Sequence, residues 1–234
     1  SLKGKVIRRD TNMLIVCYGI HKTASTFTWQ LIREYFSLFT KMEVTSPNAV
    51  FQCTRHNLAE FEEIIRDDSH AVILKTHGRL TPFLQKLSAE NCCFATANFR
   101  DPRDVTLSML DAGEVERNSG KNNVMSQILN IDNAIEKVLI EYEVFEKWAE
   151  EDFCQKVEYE EICFNTKPTL KKLLSPMLGH PPSDSEIDSV VEAFSDRRNI
   201  KFNKGVPNRY TLEMNEEQAE RCNEKFKEIL NKYF

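Results

Sequence analysis

Residues 13–27 read Met13-Leu14-Ile15-Val16-Cys17-Tyr18-Gly19-Ile20-His21-Lys22-Thr23-Ala24-Ser25-Thr26-Phe27. The run MLIVCY is apolar and partly β-branched, which suits a strand buried on both faces, with Gly19 ending it. From Ser25 to Phe39 the apolar residues Phe27, Leu31, Ile32, Tyr35, Phe36 and Phe39 recur at three- and four-residue steps, the pattern of a helix with one buried face. Small and polar side chains join the two. A helix that starts directly after a buried strand offers free backbone N–H groups and its dipole to an anion. Lys22 adds a positive charge, and Thr23, Ser25 and Thr26 add hydroxyl donors. A nucleoside-triphosphate loop would read G-x-x-x-x-G-K-[ST], with its lysine at the helix start, and that pattern is absent. Taken alone, the segment reads equally well as a helix cap beside a surface lysine.

Working outward, residues 71–75 (AVILK) and 92–99 (CCFATANF) read as further buried strands, and a strand is expected near Lys156 to Tyr159. Helices are expected from the cap Asn57, with Glu60 as capping partner, from Thr81-Pro82 to about Ala89, and from Asp101-Pro102 through Leu110. The polar, Gly-containing stretch Asp111 to Asn123 reads as a loop, of the kind that forms a lid or acceptor-binding edge. A long helix is predicted from about Asn123 to Glu150, shorter ones over Pro168 to Leu178 and Ser183 to Phe194, and a last one from a capping box at Asn215 and Gln218 to Tyr233. Strands alternating with helices predict an α/β fold of three layers, a mostly parallel central sheet flanked by helices, in one domain over residues 1–234.

Composition narrows the partners. The chain has 234 residues, 41% of them hydrophobic and 29% charged, with a formal net charge of -5. No global excess of Lys or Arg points to nucleic acid, so an anion site must be local. Positive charge does gather early, where Lys3, Lys5, Arg8, Arg9, Lys22, Arg33 and Lys41 face only Asp10 and Glu34. The seven cysteines show no pair-plus-pair spacing, and Cys92 and Cys93 fall in a strand, so reduced thiols and no structural zinc are expected. No apolar run approaches the ~20 residues that span a bilayer and the N-terminus lacks a signal-peptide core, so a cytoplasmic location is expected.

Two further clusters fall where open α/β sheets bind ligands, just past the carboxyl ends of strands. Lys75-Thr76-His77 places a histidine, the natural base near neutral pH, beside a cation that can offset charge building on a bridging oxygen. A lone histidine at a strand end is also often a packing residue. Arg100-Asp101-Pro102-Arg103-Asp104, running to Ser108, combines a helix cap and a first-turn proline with a guanidinium suited to two phosphate oxygens. A capped helix with an i,i+3 charge pair is the plainer reading of that segment.

In this order the segments resemble the P-loop-fold sulfotransferases that use 3′-phosphoadenosine 5′-phosphosulfate (PAPS). The family's 5′-phosphosulfate loop, usually PKSGTTW, is similar to HKTASTF here. Lys22 matches the loop lysine, Thr23, Ala24, Ser25 and Thr26 the residues that wrap the 5′-phosphate, and Phe27 stands in place of Trp. Lys75-Thr76-His77 resembles the KTH of the cytosolic branch, whose histidine is the base. Arg100 and Ser108 keep the separation of the pair that binds the 3′-phosphate. Tyr159 in VEYEEI is similar to a tyrosine-acidic segment beside the adenine, and Asn203-Lys204-Gly205 resembles the RKG turn that returns to the 3′-phosphate. Ala24 for Gly, Phe27 for Trp, Asn203 for Arg, and Gly78-Arg79 where a proline commonly follows KTH mark a divergent member, with Arg209 near enough in sequence to replace the missing charge.

The resemblance implies a P-loop NTPase-like sheet and transfer of a sulfuryl group from PAPS to an acceptor hydroxyl or amine. It implies no metal, with 3′-phosphoadenosine 5′-phosphate (PAP) as product. Lys22, Lys75 and His77 would be the catalytic groups, and the acceptor would be a small molecule, glycan or lipid. Two other readings stand beside it. One is a P-loop nucleotide kinase, with Asp101 holding magnesium; the other is a non-catalytic nucleotide-binding protein of the same fold.

Overall fold

The structure, a computed structural model, describes residues 13–45, 69–90, 92–195 and 206–234. Its elements run β1 (Met13–Gly19), α1 (Ser25–Phe39), β2 (Glu43–Thr45), β3 (His70–Thr76), α2 (Pro82–Glu90), β4 (Cys92–Phe99), α3 (Pro102–Asn118), α4 (Ile131–Ala149), β5 (Cys154–Glu158), α5 (Tyr159–Phe164), α6 (Thr166–Leu178), α7 (Asp184–Ser195), α8 (Tyr210–Glu213), α9 (Glu216–Lys225) and α10 (Lys227–Tyr233). The strands form one sheet in the order β2-β3-β1-β4-β5, and every pair is parallel. β1 lies at the centre, with Tyr18 opposite Thr76 of β3 and Gly19 opposite Asn98 of β4. The carboxyl ends of three neighbouring strands therefore meet at one edge.

Alternation along β1 divides the core. Leu14, Val16 and Tyr18 face α4 residues such as Val138, Tyr142, Phe145 and Trp148, whereas Met13, Ile15 and Cys17 face α1, α6 and α7. Both faces are dry, which is why the strands read as continuous apolar runs. Trp148 stacks on Tyr18 with ring centroids 5.3 Å apart and donates from Nε1 to the Gly78 carbonyl at 3.1 Å. That pair ties α4 to the segment that leaves β3.

Two boundaries differ from the sequence reading. α3 does not stop at Leu110 but continues through the stretch expected to be a loop, to Asn118. Gly113 lies in this helix, at a point where a Cβ would meet the Ile128 carbonyl oxygen at 2.7 Å and that of Met125 at 2.8 Å. The glycine admits a close crossing, and Arg117 secures it by donating to Ile128 O at 2.5 Å. The predicted helix from Asn123 begins instead at Ile131, capped by Asn130, whose side chain accepts from Asn133 N at 3.0 Å. Asn123 accepts from the amides of Met125 and Ser126 and so closes a turn rather than capping a long helix. β2, α5 and α8 are additional elements, and the last predicted helix is interrupted at the buried Phe226. The capping box at Asn215 and Gln218 is present. The helix predicted from Asn57 lies outside the described residues, as does most of the 41–56 stretch. Among the described residues no helix is long and apolar enough to cross a membrane.

Candidate active site

The loop after β1 is shaped by backbone conformation more than by side-chain caps. Lys22 and Ala24 adopt left-handed conformations, with φ 69° and 62°. Ala24 is the N-cap of α1 and supplies no side-chain hydrogen bond. Thr23 turns inward, donating from Oγ1 to Ile20 O at 2.6 Å, while Asn98 on β4 donates to Thr28 Oγ1 at 2.8 Å and Thr23 O at 3.3 Å. Gly19 allows this closeness, since a Cβ there would sit 2.5 Å from Ser25 Cβ and 2.9 Å from Asn98 Cβ. Among the described residues, the amides of Thr23, Ala24, Ser25 and Thr26 and the hydroxyls of Ser25 and Thr26 have no hydrogen-bond partner. An uncapped helix start with outward N–H groups is an anion cradle.

Beside it stands a histidine pair. His77, just past β3, donates from Nδ1 to the Gly19 carbonyl at 2.6 Å, which leaves Nε2 as an acceptor for Lys75 Nζ at 2.9 Å. Burial, then His21, then Lys75 push His77 down to about 3. Burial also lowers the Lys75 ammonium. The His21 ring stacks on His77 with centroids 3.9 Å apart. Its Nδ1 meets Glu141 Oε1 at 2.6 Å, and its backbone N–H donates to Glu141 Oε2 at 2.7 Å. Burial would raise the Glu141 carboxyl, but the bonds and charge of His21, with Lys137 at 3.1 Å, bring it down to about 2.

The third part lies past β4. Arg100 is 2% exposed and donates from Nη2 to Asp104 Oδ2 at 2.8 Å and to the Val206 carbonyl at 2.9 Å. Its guanidinium carbon sits 3.9 Å from the centre of the Tyr159 ring. Arg100 Nε is buried without a hydrogen bond among the described residues, with Glu160 Oε1 3.8 Å away. An orphaned, charged donor of this kind is expensive to bury unless a ligand completes it. Ser108 is buried on α3, the helix that begins two residues after Arg100. Tyr142 on α4 fixes the strand end by donating from its hydroxyl to Arg100 O.

The arrangement can hold one anion at the start of α1 and another at Arg100, with a base and a cation beside the first. In fold, the chain is similar to mouse sulfotransferase SULT7A1 complexed with PAP, at TM-score 0.63 and 18% identity over 94% of this chain and 84% of that one. It is similar also to retinol dehydratase in a complex with retinol and PAP, at TM-score 0.58 and 16% identity over 94% and 81%. The fold is that of the PAPS-dependent sulfotransferases. No family model matches the sequence. No curated protein matches it either.

On the sulfotransferase fold the predicted residues gather at one sheet edge: Lys22 to Phe27 after β1, Lys75 and His77 after β3, Arg100 and Ser108 after β4, and Tyr159 after β5. Thr23 leaves its amide unbonded among the described residues, its hydroxyl being used inward. Phe27 points into the core against Phe194, ring centroids 6.4 Å apart. Asn203, Lys204 and Gly205 lie outside the described residues. Arg209, read as a source of charge for the 3′-phosphate, is tied to Asp111 at 2.7 Å and Glu213 at 2.8 Å through Nη2, while its Nη1 is buried without a hydrogen bond among the described residues. His21 and Glu141 were not singled out in sequence. They are 120 residues apart, and on α4 the Lys137 and Glu141 pair looks like an ordinary i,i+4 surface pair. Among the described residues no group of three or more His, Cys, Asp or Glu is placed to hold a metal ion.

Proposed function

We propose that the chain transfers a sulfuryl group from PAPS to an acceptor hydroxyl or amine. The observation that carries the reading is the buried, unpartnered Nε of Arg100 two residues beyond Asn98, the residue that pairs with Gly19 at the entrance to the uncapped α1 loop. Two anion sites on adjacent strands fit a nucleotide phosphorylated at both its 3′ and 5′ positions. The 5′ end would take the amides of residues 23–26, the hydroxyls of Ser25 and Thr26, and Lys22. The 3′-phosphate would take Arg100 and Ser108, with Lys204 nearby in sequence, and Tyr159 would flank the nucleoside.

In the reaction the acceptor oxygen or nitrogen attacks sulfur in line, the bond from sulfur to the bridging oxygen breaks, and PAP leaves with the electron pair. Lys22 and Lys75 balance the charge that develops on the bridging oxygen, and the histidine pair receives the acceptor proton.

Thermal stabilisation by PAP, AMP and ATP tests the reading. A ligand at ~100 times its dissociation constant adds about 2.7 kcal/mol to stability. PAP should stabilise more than AMP or ATP. Equal or greater stabilisation by ATP, dependent on magnesium, would favour a nucleotide kinase instead. Binding of PAP without PAPS turnover by any acceptor would favour a non-catalytic nucleotide-binding protein.

A further inference from the structure

We propose that His21, held by Glu141, is the group that takes the acceptor proton, and that His77 is a positioning residue that stays neutral and steers Lys75. The inference rests on the sulfuryl-transfer reading above.

The two rings differ in what their nitrogens already do. His77 donates from Nδ1 to a carbonyl, and its Nε2 lone pair is covered by the Lys75 ammonium at 2.9 Å. A proton can reach that nitrogen only after Lys75 leaves it. His21 faces a carboxylate through Nδ1, which fixes the tautomer with the hydrogen on Nδ1 and the lone pair on Nε2. Among the described residues Nε2 of His21 has no hydrogen-bond partner. The Glu141 side chain is 8% exposed and that of His21 is 28% exposed, so His21 is the member of this pair that an acceptor can reach.

Charge separates them further. Rings stacked at 3.9 Å cannot both carry a proton without strong repulsion, and of the two only His21 has a carboxylate bonded to its ring. The groups facing His21 are Glu141 from α4, which Lys137 also binds, and His77, backed by Lys75, from the end of β3. Glu141 is bonded to His21 through both ring and backbone, so it also fixes the residue just before Lys22 in the phosphate loop. The loop pattern that HKTASTF resembles has proline at this position, and proline has neither the ring nitrogens nor the amide that Glu141 binds.

In the balanced step, the bond between acceptor oxygen and sulfur forms as the bond from sulfur to bridging oxygen breaks. The acceptor proton passes to His21 Nε2, and the electron pair stays with the 5′-phosphate of PAP. Lys75, held by the neutral His77, sits beside the bridging oxygen. The imidazolium of His21 is stabilised by Glu141, in the manner of a carboxylate behind a catalytic histidine.

The test uses PAPS with a phenol, a primary alcohol and an amine as acceptors, following PAP release. His21→Asn can still donate to Glu141 but lacks the base, and it should lower turnover about 100-fold or more while PAP affinity stays within about twofold. His77→Asn can still donate to Gly19 O and should cost at least about tenfold less than that. Glu141→Gln should move the acid limb of the pH–rate profile to lower pH, where a loss of structure alone would scale the whole profile without moving it. A larger loss for His77→Asn than for His21→Asn, or an unmoved limb, overturns the proposal.

If the wild-type protein binds PAP but no acceptor responds, the rate of diethylpyrocarbonate modification at pH 7 decides. His21 should react at least about tenfold faster than His77, and the reverse order overturns the assignment. Failure to bind PAP at all would remove the donor reading instead, and that outcome is separate from either ranking.

Discussion

The imidazole rings of His21 and His77 lie face to face, 3.9 Å between centroids and 15° from parallel, with opposite hydrogen-bond surroundings. His77 is held near 3 by burial, by His21 and by Lys75, well below the ordinary 6.5. A base depressed on folding leaves the unfolded chain binding more protons between those values. Stability is therefore complete above pH 6.5 and is lost as pH falls toward 3, at no more than about 1.4 kcal/mol per pH unit for one site. Glu141, depressed from 4.5 to about 2, acts in the same direction but only below pH 4.5. Urea midpoints measured between pH 4.5 and 7 should fall on acidification in the wild type and change much less in His77→Asn. Equal slopes would show that His77 accepts a proton freely in the folded protein.

Ala24 is held at φ 62°, where an L side chain costs roughly 1–2 kcal/mol and glycine costs little. Ala24→Gly loosens the unfolded chain as well, which offsets part of the gain by about 0.4–1 kcal/mol. The net result should be stabilisation of up to about 1 kcal/mol, a melting shift of about 2–4 °C for a chain of this size, with PAP affinity unchanged or higher. Differential scanning calorimetry and PAP titration read both. A fall in melting temperature would mean that the Ala24 methyl makes contacts worth more than its conformational cost.

Gly19 carries the opposite constraint. Its missing Cβ would overlap Ser25 and Asn98, neither of which is the loose end of a long side chain. Gly19→Ala should force the loop away from β4 and cost about 1–3 kcal/mol, as overpacking does. It should also weaken PAP binding more than AMP or PAP binding is changed by Ala24→Gly, since the amides of residues 23–26 move with Ser25. Urea denaturation and calorimetric titration of PAP check the two effects. Full PAP affinity in Gly19→Ala would mean that the loop amides are not the 5′-phosphate cradle.

These two residues also mark how far sequence reaches. β1 and α1 were legible because a dry strand and a one-sided helix write themselves as periodicity, and the same holds for β3 and β4. The α3 boundary was not, because Gly113 serves a helix crossing whose partner, the 125–128 turn, lies elsewhere in the chain. At the site, order and spacing pointed to Lys22, His77 and Arg100, and the sheet brings them to one edge. Spacing cannot register Glu141, which reaches His21 only through the packing of α4 on the sheet. Nor can it foresee that Thr23 turns its hydroxyl inward, since that follows from the left-handed residues on either side.

Glu160 gives a separable test of the Arg100 site. Its carboxyl lies 3.8 Å from Arg100 Nε, burial raises it above its ordinary value, and Oε2 has no hydrogen bond among the described residues. A phosphate drawn to the same Nε must approach this carboxylate. Replacing Arg100 itself would be a poor probe, because Asp104 is fully buried and would lose the partner of its charge, at about 3–5 kcal/mol. Glu160→Gln removes the opposing charge and leaves Arg100 bonded to Asp104 and Val206 O. It should tighten PAP by about threefold to tenfold, in keeping with a partly screened charge, and leave AMP, which lacks the 3′-phosphate, unchanged. Ser108→Ala should weaken PAP and again spare AMP. Calorimetric titration of both nucleotides into both variants reads these differences, and parallel changes for PAP and AMP would move the 3′-phosphate away from Arg100.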